Sequence, residues 1–337
     1  MKDLTRRKRL RHSLIVLFTL FIFSLPFLIT NNYYLSVLVI IGIHTTVVVG
    51  LCLLMGYAGQ ISLGHAAFYG LGAYASGILT STYGISPWLA ILAGAVGTGL
   101  ITYTMGIPIF RLKEHYLALA TLGLGLIIHV IFVEEVELTG GPSGLSKGIP
   151  YLSIGKLVLN TDFRYYFLVW AIALAAIILA NNVVHSRIGR ALRSIHGSEF
   201  AAKSLGVDTD KFKLQVFALS AIYASVAGSL YAHYITFISP SPFGLMTSIQ
   251  FVVMAVVGGL SSIWGPILGV TAVTLLTEAL KSIIPQLIPQ AGGEYEIVIF
   301  GLILVITMIF LPEGLTSGLL KLYEGWRYRK ERADEIP

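Results

Sequence analysis

Apolar stretches of about twenty residues recur from one end of this 337-residue chain to the other, with short loops between them. A helix of that length crosses the hydrocarbon of a bilayer, where each backbone polar group must be paired within its own segment. Charged residues make up only 12% of the chain, against 55% hydrophobic. A soluble domain carries about a quarter of its residues as Asp, Glu, Lys or Arg. So few charges cannot coat a water-facing globule, and lipid must cover most of the surface. The expected fold is therefore all-α: a polytopic transmembrane helical bundle forming one domain over 1–337.

A span-length window places membrane segments near 14–30, 34–55, 61–80, 87–110, 116–133, 165–183, 212–238, 246–260, 263–284 and 295–312. That makes about ten, with eight or nine as alternatives. Segment 246–260 is short for a full crossing and reads as a broken or re-entrant helix, tolerated only against protein or a wet cavity. The first apolar run is longer than a signal-peptide core and lacks a small-residue cleavage pattern, so it is expected to be a retained span. Lys and Arg concentrate in the N-terminus, the turn at 111–115, the loop at 187–213 and the tail at 321–332. The stretch 134–164 instead holds Glu134, Glu135, Glu137 and Asp162 against Lys147, Lys156 and Arg164. By the positive-inside rule the four basic regions are cytoplasmic, both termini included, and 134–164 is an extracytoplasmic loop. Ten spans satisfy every one of these placements. The net charge of +6 then reports membrane orientation and calls for no nucleic acid. The single Cys52 excludes an intrachain disulfide framework.

Two glycine-rich interruptions stand out. The first runs Gly56-Tyr57-Ala58-Gly59-Gln60-Ile61-Ser62-Leu63-Gly64-His65 and continues small through Ala66, Ala67, Gly70, Gly72 and Ala73. Small residues let helices approach closely, and paired glycines let a helix break and expose carbonyls. Gln60, Ser62 and His65 are polar groups at membrane depth that need either a partner or a wet path. Two readings stay open: a translocation path, or a tight helix crossing with its polar groups satisfied internally. A lone His65 is more often a structural hydrogen-bonder than a relay or a metal ligand. The second interruption, Gly258-Gly259-Leu260-Ser261-Ser262-Ile263-Trp264-Gly265, echoes the first loosely. It is either the other half of a midplane path or an ordinary turn. Thr139-Gly140-Gly141-Pro142-Ser143-Gly144-Leu145 is a compact turn sequence.

In the basic loop, Ala191, Leu192 and Ile195 fall at helical spacing, as do Phe200, Ala201, Ser204 and Leu205. Gly197 separates the two pieces, Ser198 caps the second with Glu199 in its first turn, and Gly206 ends it. Residues 186–212 are thus two short amphipathic helices, resting on the membrane surface or on a cytoplasmic partner; the partner is the better reading. No phosphate-binding Gly-x-x-x-x-Gly-Lys-Ser/Thr run is present, and no metal-ligand spacing. No enzyme, cofactor or metal is therefore expected in this chain. Glu278 is the one acid inside an apolar stretch, with Lys281 close by as its expected partner, which argues against an ion-coupled secondary carrier.

In order and spacing over about 35–315, these motifs resemble the LivM-type permeases of branched-chain amino acid ABC transporters. The resemblance implies a heterodimer with a second permease subunit, two cytoplasmic ATPase subunits that bind the ATP, and an extracytoplasmic solute-binding protein. It implies an inner-membrane importer for Leu, Ile and Val, with urea, short amides or other amino acids as the alternatives. The path would involve Gly56, Gly59, Gln60, Ser62, Gly64, His65, Gly258, Gly259 and Ser261. The ATPase-coupling element would be Gly189, Arg190, Glu199, Ala201, Ala202 and Gly206, and here the family's pattern is interrupted by Phe200 after the acid.

Overall fold

The computed structural model describes residues 19–29, 31–110, 114–145, 148–287, 301–302, 305, 309, 314–316 and 318. The N-terminal and C-terminal basic clusters, Arg111, Lys147 and most of the expected span at 295–312 lie outside the described residues. The helices in chain order are α1 (Thr19–Leu28), α2 (Asn32–Cys52), α3 (His65–Ser81), α4 (Pro87–Ile109), α5 (Glu114–Glu134), α6 (Val136–Thr139), α7 (Asp162–His185), α8 (Arg187–Gly197), α9 (Glu199–Ser204), α10 (Thr209–Ile235), α11 (Leu245–Gly258) and α12 (Gly265–Leu287). Six of them, α2, α4, α5, α7, α10 and α12, are long and apolar enough to cross a membrane. The chain is a multi-pass, mostly helical membrane protein. One departure from an all-helical chain is a hairpin of two-residue strands, Ser153–Ile154 paired with Leu157–Val158.

Helix starts follow the capping residues of the sequence. Asn31 Oδ1 accepts from Tyr33 N at 2.9 Å to begin α2, Asp208 Oδ1 accepts from Lys211 N at 3.2 Å to begin α10, and Pro87 opens α4. The core forms where small residues admit a neighbouring backbone. On the α3–α10 crossing, a Cβ at Gly72 would strike the Ser225 carbonyl and one at Gly228 the Tyr69 carbonyl. Buried tyrosines bind carbonyls across helices: Tyr165 OH donates to Leu230 O at 2.6 Å and Tyr223 OH to Ala176 O at 3.0 Å. Large apolar side chains on α4 and α5, such as Leu92, Leu100, Leu119 and Ile127, lie exposed, as lipid-facing positions should. Glu278 holds Lys281 at 2.9 Å and accepts from the Tyr33 hydroxyl, the local pairing its sequence context predicts.

The 139–145 turn is compact as expected. Gly141 N donates to Thr139 Oγ1 at 3.1 Å, and Leu145 N donates to Ile238 O at 2.8 Å. This turn is therefore fastened to the segment that follows α10. His233 fastens the same region, with Nδ1 2.7 Å from Pro150 O and Nε2 2.8 Å from Ser76 Oγ.

Candidate functional site

The first glycine-rich interruption is a broken helix. α2 passes into a π-helical turn, Leu53–Tyr57, a rare widened turn that interrupts the α-helix. Gly59 then takes φ +70°, a left-handed conformation that a side chain resists. The chain stays non-helical until His65 opens α3. Gln60 closes the bend: its N donates to Leu54 O at 3.1 Å and its Nε2 to Ala58 O at 3.0 Å.

His65 sits at the centre of a satisfied polar chain. Ser220 Oγ donates to Phe217 O at 2.8 Å, so it accepts from His65 Nε2 at 3.1 Å. His65 Nδ1 is then the acceptor for the Ser62 hydroxyl at 2.9 Å; the tautomer follows from the network. Gln60, Ser62 and His65 are all buried, and these bonds join α3 to α10. Gly64 packs on α5, where a Cβ would fall on the Thr121 carbonyl. Among the predicted path residues this group therefore has the geometry of a helix crossing in the described conformation.

The second interruption is also a break. α11 ends at Gly258, Gly259 takes φ +103°, and α12 begins six residues further on. Gly258, Gly265 and Gly269 pack backbone to backbone, and Thr316 Oγ1 donates to Gly258 O at 2.5 Å. The two breaks meet: a Cβ at Gly56 would fall on the Leu260 carbonyl, and Tyr57 OH donates to Ser261 O at 3.0 Å. Gly56 and Ser261, some two hundred positions apart, thus belong to one junction. Gly64, by contrast, lies with α5.

The basic loop folds as two helices with the expected caps, Ser186 on α8 and Ser198 on α9. Gly189 tucks against the Val184 backbone at the corner with α7, and Gly206 at φ +83° ends the second helix. Glu199 turns inward to Lys213, with Oε1 2.5 Å from Nζ. Ala202 is buried, while Arg190 and Ala201 are exposed and Phe200 and Leu205 are each 84% exposed. α8 also touches the first break, because a Cβ at Gly59 would stand 3.4 Å from His196 Nδ1. The basic loop and the first glycine-rich break are thus contiguous in space.

Sequence reasoning missed Lys213, Ser220, Tyr57 and His196 as parts of these contacts. Lys213 was legible as a lysine one helical turn inside an apolar helix. Ser220 reads as an ordinary small residue until its neighbour is known. A cavity of about 370 Å³ lies elsewhere, lined by Ser36, Tyr151, Asp162, Tyr165 and Tyr234 among others. Among the described residues no group of three or more His, Cys, Asp or Glu could hold a metal.

The family model described as branched-chain amino acid transport system / permease component matches residues 33–308. The high-affinity branched-chain amino acid transport system permease protein LivM of Salmonella typhimurium is 29% identical over 313 residues, which cover 85% of this chain and 70% of that protein. LivM of Escherichia coli K12 is 28% identical over 326 residues, 89% of this chain and 74% of that protein. LivH of Escherichia coli K12 is 27% identical over 288 residues, 81% of this chain and 90% of that protein. No solved structure matches the chain.

Proposed function

Because this chain belongs to the branched-chain amino acid transport system permease family, we propose that it is one permease subunit of an ATP-driven ABC importer for Leu, Ile and Val. Its resemblance to both LivM and LivH supports a pair of related permease subunits, with this chain in the LivM place. Two cytoplasmic ATPase subunits bind the ATP, and an extracytoplasmic solute-binding protein delivers the substrate. The chain itself is a transport subunit without a catalytic site or cofactor. Urea, short amides and other amino acids are the alternative cargoes.

Ten membrane segments are assigned by adding the region of α1, α3, α11 and 295–312 to the six long spans. In the cell inner membrane this arrangement puts both termini and 186–212 on the cytoplasmic side, and 134–164 outside. The observation that carries the mechanism is the contact of α8 with the first break through His196 and Gly59. α9 and its C-cap present Phe200, Ala201 and Leu205 outward, an apolar face suited to a cleft in an ATPase subunit. Closure of the ATPases would move α8 and α9 as a body and shift the junction of the two breaks, a rigid-body switch between outward- and inward-facing states.

Reconstitution with the second permease, the ATPases and the binding protein tests the reading. Leucine uptake should require ATP, and isoleucine and valine should compete with it. Uptake driven by an ion gradient without ATPase subunits would instead establish a secondary carrier. ATP-dependent uptake of urea alone would keep the permease and replace the cargo.

A further inference from the structure

The segment joining α10 to α11 alternates exposed and buried residues: Phe237 and Ser241 are exposed, whereas Ile238, Pro240 and Phe243 are buried. Its single 3₁₀ turn, Ser241–Phe243, follows Pro240; Ser241 is exposed, whereas Phe243 is 1% exposed. Four rings enclose Phe243: Tyr69 at 5.4 Å between centroids, Tyr74 at 5.7 Å, Phe132 at 6.1 Å and Tyr231 at 6.2 Å. Gly70 leaves room for the ring, since a Cβ there would stand 2.8 Å from Phe243 Cγ. Through Tyr69 the cluster continues to Phe251 at 5.7 Å and His44 at 6.2 Å. α3, α5 and α10 thus form the box around Phe243, and α2 and α11 extend the cluster through His44 and Phe251.

Three polar atoms of this cluster, Tyr69 OH, Tyr74 OH and His44 Nδ1, are buried without a hydrogen-bond partner among the described residues. Elsewhere in the bundle, the hydroxyls of Tyr165, Tyr166 and Tyr223 donate to carbonyls. Buried polar groups are normally paired, so three orphans in one connected cluster need a reason. An apolar enclosure with a few convergent polar groups is the usual make-up of a small-molecule site.

The segment that carries Phe243 is tied to the loop at 134–164. Leu145 N donates to Ile238 O at 2.8 Å and Ile149 N to Thr236 O at 3.2 Å. Thr236 itself takes φ +60°, alone in this among non-glycine residues described. A β-branched residue there stores backbone strain of the kind found at switch points.

We propose that the box of Tyr69, Tyr74, Phe132 and Tyr231 is a seat for the aliphatic side chain of the transported amino acid, and that Phe243 is the plug that fills it in the closed state. This rests on the importer reading given above. A phenyl ring and a branched aliphatic side chain are similar in bulk and polarity, so each excludes the other. With the plug withdrawn about Thr236, the two hydroxyls and the imidazole nitrogen are left to pair with the ligand's carboxylate and ammonium. A partner that moves the 139–149 loop pulls directly on the plug.

The test uses the assembled transporter in proteoliposomes. ATP-dependent leucine uptake by the wild type establishes the importer reading, and its absence would sink that reading separately. Phe243→Ala should let preloaded leucine leak without ATP about tenfold faster than wild type. Phe243→Leu, which keeps an apolar plug and covers the case of poor assembly, should leak less. Tyr69→Phe and Tyr74→Phe should each lower uptake at saturating loaded binding protein about tenfold, the factor for one lost hydrogen bond to a charged group. Their yield and thermal midpoint should be unchanged or higher, because an unpaired buried hydroxyl is removed. A tight Phe243→Ala complex together with full uptake by both tyrosine variants would show that the box is packing only.

Discussion

Helix α9 spans only six residues, too few to be helical without outside support. Its angle to the bundle therefore rests on a few side chains, chiefly Glu199. The Glu199 carboxylate lies 2.5 Å from Lys213 Nζ, with the two side chains 38% and 6% exposed. Lys213 also reaches Asp210 at 3.6 Å and stands 5.8 Å from the centre of the Phe110 ring. Glu199→Gln keeps the shape and deletes the charge. Removing one partner of a fully buried pair costs about 3–5 kcal/mol. Here solvent reaches Glu199 and Asp210 remains, so the expected loss is about 1–2 kcal/mol. That is a factor of about 5–30 in the equilibrium between attached and loosened α9, confined to this helix. The chain should insert and fold normally, while trypsin cleaves after the exposed Lys203 several-fold faster in inside-out vesicles. Stimulation of the partner ATPases by loaded binding protein should fall in parallel. Lys213→Met should behave alike, and the double variant should cost clearly less than the sum of the two. Wild-type cleavage and stimulation in Glu199→Gln would refute the claim that this pair sets the helix.

The two neighbouring alanines should separate docking from folding. Ala201→Asp, on the exposed face, should abolish copurification with the ATPases yet leave membrane insertion intact, whereas Ala202→Asp buries an unpaired charge and should lower the folded yield. Gly64→Leu forces a side chain onto the Thr121 carbonyl and overpacks the α3–α5 crossing by about 1–3 kcal/mol; uptake should collapse while ATPase association persists, and near-normal uptake would remove this crossing from the transport cycle. Reporter fusions at Pro337 and within 139–160 should give opposite signals, and equal signals would overturn the ten-span arrangement.

Six of the ten expected spans were legible, because lipid imposes a length and a composition that a window detects. The α8–α9 pair was legible because its caps, Ser186 and Ser198, and its stop, Gly206, are local signals. Ser62 and His65 were legible as polar groups at depth, and their internal satisfaction was one of the two readings the residues allowed. The partner was not, since Ser220 is separated from His65 by 155 positions and no local pattern marks it. The aromatic box was hidden for the same reason. Tyr69 falls inside the first glycine-rich motif and Tyr74 directly follows it, but Phe243 lies in the short connection between the expected segments 212–238 and 246–260, which carries no motif. The hairpin at 153–158 is too short for strand periodicity to register.

The contacts place the two interruptions in one mechanical unit. Tyr57 and Gly56 hold the second break through its backbone carbonyls at Ser261 and Leu260. The hydrogen bond to Ser261 O and the close approach at Leu260 O engage backbone, not the side chains of the second break. Gly59, two residues on, takes His196 of α8 against its bare backbone. A side chain at Gly59 would disfavour φ +70°, while its Cβ would stand in ordinary contact with His196. The glycine that permits the break thus also lies against α8. On the opposite side, the plug segment is fastened to the 134–164 loop by backbone bonds of the same side-chain-independent kind.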